Sequence, residues 1–171
     1  MMRMPSSRFN RQRGSAAVEF AILLFPVLLL GFGVVEYGRA VYQYNNVVKS
    51  IRSAVRVMSQ HSPADSSYAA RMVQAQCMAV YGVASCTDGS GTALAPGLRL
   101  SHIKICDSVS WSECAGSVQA DYKNVTTGLG TMNLVAVRLV GYQFSFLGLP
   151  LVGAPAAVSF GPIEAVMRQA G

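Results

Sequence analysis

Charge is scarce in this chain. Asp, Glu, Lys and Arg make up 13% of its 171 residues, against about 25% in an average soluble domain, which argues against a disordered polyelectrolyte. The basic excess is not spread over a folded face. Arg3, Arg8, Arg11 and Arg13 all precede Gly14 with no acid among them and account for most of the net +6. No groove of cations with interleaved aromatics is indicated, and no nucleic-acid partner. Histidine is rarer still: only His61 and His102 occur, and neither stands in a metal-binding arrangement such as H-E-x-x-H. There is no G-x-S-x-G elbow, no phosphate-binding G-x-x-x-x-G-K-S/T loop and no C-x-x-C pair. Asp88-Gly89-Ser90-Gly91 and Asn124-Val125-Thr126 read as polar turns. Glycine (16) and proline (7) are at ordinary levels, which excludes a collagen-like or low-complexity chain. No residue set nominates a catalytic site, a metal or a cofactor, so the chain reads as a non-enzyme.

What the sequence does have is one long apolar run. Residues 20–35 contain no charged or strongly polar side chain, and residues 15–19 extend the run with one acid, Glu19. At about 1.5 Å per residue the whole stretch covers roughly 31 Å as a helix, enough to cross a hydrocarbon core of about 30 Å. Four arginines precede it, whereas Glu36 and then Arg39 follow. The positive-inside rule therefore predicts a cytoplasmic amino end and an external or periplasmic remainder. Gly38 and Ala40 offer the small residues of a secretory cleavage site, but Glu36, Tyr37 and Arg39 make a poor one. Pro26, Gly31 and Gly33 are tolerated in membrane helices, where Pro26 leaves the Ile22 carbonyl unpaired.

The start of the run is more specific. Arg13-Gly14-Ser15-Ala16-Ala17-Val18-Glu19-Phe20 places a glycine after an all-basic tail and an acid five residues beyond it, which resembles the leader of type IV pilins and their relatives. That resemblance implies a prepilin peptidase cutting between Gly14 and Ser15 on the cytoplasmic side, with Glu19 and Phe20 fifth and sixth in the product. The residue types make physical sense. Glycine lets a backbone approach a protease closely, and an acid within hydrocarbon costs about 2.5 kcal/mol or more without a partner. A new amino group on Ser15 would be such a partner. Residues 14–40, with Ala17-Val18-Glu19-Phe20, Pro26 and Glu36-Tyr37-Gly38-Arg39-Ala40 as the most specific parts, resemble the amino-terminal segment of the TadE-like proteins, minor pilins or pseudopilins of the tight-adherence (Flp) pilus machinery. A helix ending in Ser53-Ala54-Val55-Arg56 completes the resemblance. The implied partners are prepilin peptidase, other Tad/Flp pilus subunits, assembly-platform proteins and membrane lipid.

Beyond the run, Tyr37, Val41, Tyr44, Val48, Ile51, Val55 and Met58 recur at spacings of 4 and 3, a helical seam expected to continue to about Gln60. Such a seam serves the chain's own domain, another subunit's helix, or both. Ser62, Pro63 and Asp65 are suited to starting a second helix over 63–81, with Tyr68, Met72, Ala75 and Ala79 on one face and Gly82 as its stop. The pattern then changes to strands: one around Leu98, Leu100, His102, Ile103 and Ile105, one over 118–125, the clearest over 134–146, and a last over 157–168 broken at Gly161-Pro162. Helices followed by strands predict an α+β fold with a small antiparallel sheet. Cys77, Cys86, Cys106 and Cys114 are even in number and fall on the oxidising side. The simplest pairing is Cys77 with Cys86 and Cys106 with Cys114, among three connectivities. Spacings of C-x8-C and C-x7-C do not fit a zinc knuckle. Trp111, Tyr142, Phe144 and Phe146 fill a core or, with residues 148–155, form a binding surface. Leu147, Leu149, Leu151 and Val152 in that broken loop suggest a partner contact.

The expected organisation is a basic cytoplasmic leader (1–14), a transmembrane helix (15–36), its periplasmic continuation (37–61) and a periplasmic α+β domain (62–171), carried in a bacterial inner membrane. The expected function is that of a processed minor pilin or pseudopilin acting in pilus assembly and surface attachment. An unprocessed single-pass scaffold of the secretion complex is the first alternative, and a membrane-anchored enzyme or receptor domain the second.

Overall fold

The computed structural model describes residues 12–128, 130–146 and 157–170. Leader residues 1–11 and loop residues 148–155, with Leu147, Leu149, Leu151 and Val152, lie outside the described residues. The fold is α+β. It opens with helix α1 (Gln12–Ser59), 48 residues long with Pro26 inside it, followed by α2 (Tyr68–Tyr81). Strands β1 (Ile103–Cys106), β2 (Val125–Thr127), β3 (Gly130–Met132), β4 (Leu134–Leu139), β5 (Gln143–Ser145), β6 (Ala157–Ser159) and β7 (Ile163–Arg168) follow. They form an antiparallel sheet in the order β1-β4-β7 and two hairpins, β2-β3 and β5-β6.

The two halves of α1 have opposite surroundings. From residue 14 to 35 every described side chain is exposed except at half-buried Gly33, and an apolar helix without a polar face fits a bilayer rather than water. The second half is the spine of the domain. Val47, Ile51, Ala54, Val55 and Met58 are buried with Ala75, Ala79 and Val80 of α2, Ile103 and Ile105 of β1, Val135 and Val137 of β4, and Ile163 of β7. The Ser50 hydroxyl joins the helices by donating to the Ala79 carbonyl at 2.8 Å.

The expected seam divides along its length. Ile51, Val55 and Met58 are buried and Val48 half-buried, whereas Tyr37, Val41 and Tyr44 are exposed. Toward the membrane end the buried line runs instead through Glu36, Gln43 and Val47, one position round the helix, and includes Ser50 further on. Polar residues at spacing seven therefore face the domain, Tyr37 lies well exposed, and Tyr44 stands at the domain's edge against Phe160.

Several expected boundaries shift where a short polar side chain closes a local turn. Helix α2 starts at Tyr68, not at residue 63, because Asp65 accepts a bond from the Ser62 backbone N–H at 3.0 Å and Ser62 accepts one from that of Ala64. Its carboxyl end is as expected, with Gly82 at φ +72° donating its N–H to the Met78 carbonyl. Leu100–His102 is a 3-10 turn closed by His102, whose ring accepts the Arg99 N–H, so the first strand begins only at Ile103. Residues 118–125 are not a strand: Gln119–Asp121 forms a 3-10 turn in which Asp121 accepts the Val118 N–H at 2.8 Å. The run 134–146 is broken into β4 and β5 around Gly141, at φ +72°, a left-handed conformation that favours glycine. Its partner line breaks between β6 and β7, at Gly161-Pro162.

Candidate functional site

Gly14, Ser15, Glu19 and Phe20 lie on the first turns of α1, clear of the domain. The Ser15 hydroxyl donates to a Glu19 carboxylate oxygen at 3.4 Å, one turn along the helix. A β-carbon at Gly14 would meet no atom within 4 Å, and the same holds at Gly31, Gly33 and Gly38. No contact among the described residues requires glycine at these four positions. Pro26 lies within the exposed half, on a helix that continues past it.

The segment after the apolar run is where helix and domain first meet. Glu36 is only 7% exposed, although it is charged and one residue beyond the run. Arg39 donates through one guanidinium nitrogen to Glu36 at 2.7 Å and to the Ser145 backbone carbonyl at 2.7 Å. The guanidinium also lies over the Phe144 ring, 4.6 Å from its centre, a cation–π geometry. Because helical side chains lean toward the amino end, Arg39 reaches back over the Glu36 turn and meets β5 there. Tyr37, on the opposite side, is 72% exposed.

Behind this latch is an aromatic cluster. Phe144 packs edge-on against Phe146 at 4.9 Å and lies 5.8 Å from Phe160. Phe160 in turn meets Tyr44 of α1 at 5.3 Å and Tyr142 at 6.1 Å. Phe144 and Tyr142 are core residues, the first of the two roles weighed for them. Burial raises the Tyr142 phenol pKa, with the Arg39 charge opposing. His102 stands edge-on to Tyr142 at 6.1 Å and accepts a backbone bond, so its ring fastens a turn.

At the far end, Cys77 is bonded to Cys86 and Cys106 to Cys114, with Cα separations of 5.6 and 6.0 Å. Trp111 and Leu134 pack on the small cluster of Cys106, Cys114, Tyr122 and Ala136. Asp107, fully buried, accepts the Val109 and Ser110 N–H groups at 2.7 Å each and the Tyr68 hydroxyl. Gln169 donates to the Tyr68 oxygen at 2.8 Å and to the His61 carbonyl at 3.2 Å. Burial, and then the Asp107 bond and charge, push the Tyr68 hydroxyl far above its ordinary range, which keeps it a proton donor rather than a nucleophile. The network ties α2, the Cys106–Cys114 loop and the chain after β7 together. Sequence reading missed it; the available signal was Asp107 directly after a cysteine and before Ser-Val-Ser, a pattern suited to an Asx turn.

Among the described residues no group of three metal-ligating side chains occurs. A concave region of about 580 Å³ beside the β2-β3 hairpin is lined by Asn124, Thr127, Thr131, Asn133, Arg168 and Gln169. Met132 and two glycines complete the lining, and among the described residues it brings together no acid–base pair.

Comparison with known proteins bears on the amino-terminal part. Residues 14–56 match the family model described as TadE-like protein. The match starts at Gly14, covers Glu19, Pro26 and Glu36 to Arg39, and ends at Arg56, which bears out the resemblance read from the sequence over that segment. It implicates the chain in the Tad pilus system, whose other components are the implied partners. No curated protein and no solved structure matches the chain.

Proposed function

We propose that this chain is a minor pilin or pseudopilin of a tight-adherence pilus, cut by prepilin peptidase between Gly14 and Ser15. It would act in pilus assembly and, through the pilus, in surface attachment. The carrying observation is that the TadE-like match begins at Gly14 itself, a glycine for which no contact among the described residues gives a reason. At the junction of the basic leader and the apolar run, such a glycine is suited to close approach by a protease. Glu19 supports the same reading: it sits one turn from the residue that cleavage would make the new amino terminus, the position for a charge partner in hydrocarbon. In this reading residues 1–14 are cytoplasmic, 15–36 cross the inner membrane and 37–171 are periplasmic. Lipid surrounds the exposed half of α1, and the function is not enzymatic.

One observation favours a second reading, an unprocessed scaffold of the secretion complex. The Gly14–Ser15 bond lies within helix α1. A peptidase acting on extended backbone has to unwind the helix there. Intact mass and amino-terminal sequencing of the protein from its native membrane, with and without the peptidase, separates the readings. A peptidase-dependent start at Ser15 is expected. A start at Met1 or Met2 assigns the scaffold role, and a start near Val41 removes the anchor. Glu19→Gln is expected to impair incorporation into the pilus more than membrane insertion; unchanged incorporation beside wild type refutes the role given to Glu19.

A further inference from the structure

The geometry points to a second membrane contact: the Ser145–Ala157 end of strands β5 and β6 rests on the outer surface of the bilayer that α1 crosses. The inference relies on the membrane-spanning reading of α1 and concerns a different part of the chain.

Three contacts fix the direction of the hairpin against the helix. At the far end, the Ala170 N–H donates to the Ser59 carbonyl at 2.8 Å. Midway, Phe160 meets Tyr44 at 5.3 Å. At the near end, the Ser145 carbonyl is held by Arg39 at 2.7 Å. Chain positions 170, 160 and 145 thus sit beside helix positions 59, 44 and 39. The line of β6 and β7 climbs away from the membrane, and the line of β4 and β5 descends toward it. Ser145 pairs with Ala157 and Gln143 with Ser159, so the Ser145–Ala157 end of the two strands is the lower one.

Its height follows from the helix. Arg39 lies four residues past Val35, about 6 Å along the axis, and its guanidinium reaches back to Glu36. Ser145 therefore stands close to the level at which the apolar run ends. Ser145, Ala157 and Val158 are exposed there, on the strands next to the connection from 146 to 157.

Charge agrees with the placement. No Asp, Glu, Lys, Arg or His occurs from residue 139 to 163, nor in α1 from 40 to 48. Where α1 meets β5 the charges are Glu36 and Arg39, which are paired with each other; Arg99 lies across the sheet, before β1. The charged residues of the sheet, Lys104, Arg138, Glu164 and Arg168, belong to β1, β4 and β7 farther up. Strands β5 and β6 without charge, at the edge of an apolar span and with Tyr37 exposed beside them, have the amphipathic layout of a segment seated in the headgroup region. Continuity with the span selects lipid over a protein partner.

Fluorescence quenching in vesicles of phosphatidylcholine and phosphatidylglycerol containing brominated lipid tests this on the full-length protein. Trp111 is the one native tryptophan, so wild type reports the far end of the domain. Val158→Trp and Ser145→Trp, each with Trp111→Phe, report the hairpin, and Leu28→Trp with Trp111→Phe reports the span. The expected result is loss of emission for Val158→Trp and Ser145→Trp with bromine near the carbonyl end of the acyl chains. Leu28→Trp should lose emission with bromine deep in the chains, and wild type should lose none. Quenching at Leu28→Trp with none at either hairpin position overturns the inference while leaving the span intact, and leaves the uncharged end to a protein partner. Absence of quenching at Leu28→Trp overturns the span and this inference with it.

Discussion

Arg39→Ala is expected to undock the β5-β6 hairpin without unfolding the rest of the domain. Arg39 makes three interactions, and they do not count equally. Its ion pair with Glu36 is an i,i+3 contact within α1, so it exists whether the hairpin is docked or not; its part is to aim the guanidinium. Docking depends on the bond to the Ser145 carbonyl and the stacking on Phe144. A charged donor to a carbonyl contributes about 1.5–3 kcal/mol, and the Arg39 side chain, at 24% exposed, belongs toward the lower end. A partly exposed cation–π contact adds about 0.5–1 kcal/mol. Their sum of roughly 2–3 kcal/mol corresponds to an opening equilibrium about 30- to 150-fold more favourable. Hydrogen exchange followed by mass spectrometry on the full chain in lipid nanodiscs reads this directly. Peptides covering Gln143–Ser145 and Ala157–Ser159 should exchange faster by that factor, while those of Leu134–Leu139 and Ile163–Arg168 keep wild-type rates, as expected for a separately opening unit. Hairpin rates unchanged from wild type would refute the latch. Equal acceleration of hairpin and central sheet would refute its local character, because the joint at Gly141 would then transmit the loss upward.

Two further substitutions test the rest of the frame. In the fold Tyr68 stays protonated at a pH where the unfolded chain, titrating near 10.0, already releases the proton; its contribution is complete below that pH and falls above it by about 1.4 kcal/mol per unit. Tyr68→Phe is therefore expected to flatten the decline of stability between about pH 10 and 12 by that one-proton slope, and at neutral pH to cost about 1–3 kcal/mol by leaving Asp107 short of a donor; equal slopes in denaturant titrations of variant and wild type would refute it. Ile51→Ala is expected to cost about 2–5 kcal/mol through a buried cavity, and Tyr37→Ala to stay within about 0.5 kcal/mol; comparable losses in denaturant titration would mean that the domain buries the aromatic side of the helix after all.

The order of elements was legible because it rests on local signals: a long apolar run, a 3.5-residue period, alternation in 134–146, and a proline break at Gly161-Pro162. The turns at Asp65, Asp121 and His102 were harder to see. There one side chain captures one backbone amide, a choice that composition and period do not distinguish from the first turn of a helix or the edge of a strand. The membrane-proximal buried face was illegible for a different reason. Reading by hydrophobicity selects Tyr37, Val41 and Tyr44, whereas the domain buries Glu36, Gln43 and Ser50, and Arg39 is held from a residue 106 positions away.

That inversion bears on how one helix can serve two partners. If the domain used the aromatic line over the whole length of α1, the helix would carry no apolar surface outward beyond the membrane. By docking the lower end of the domain on a polar line fixed by Arg39, the chain keeps Tyr37 and Val41 exposed, while Tyr44 closes the docked edge against Phe160. The two sides are also chemically independent. A change at Tyr37 or Val41 leaves the Glu36–Arg39–Ser145 contacts in place, and Arg39→Ala leaves Tyr37 and Val41 untouched. Assembly defects that arise from the outer face should therefore appear in protein whose hairpin protection is normal, and defects that arise from the latch should not.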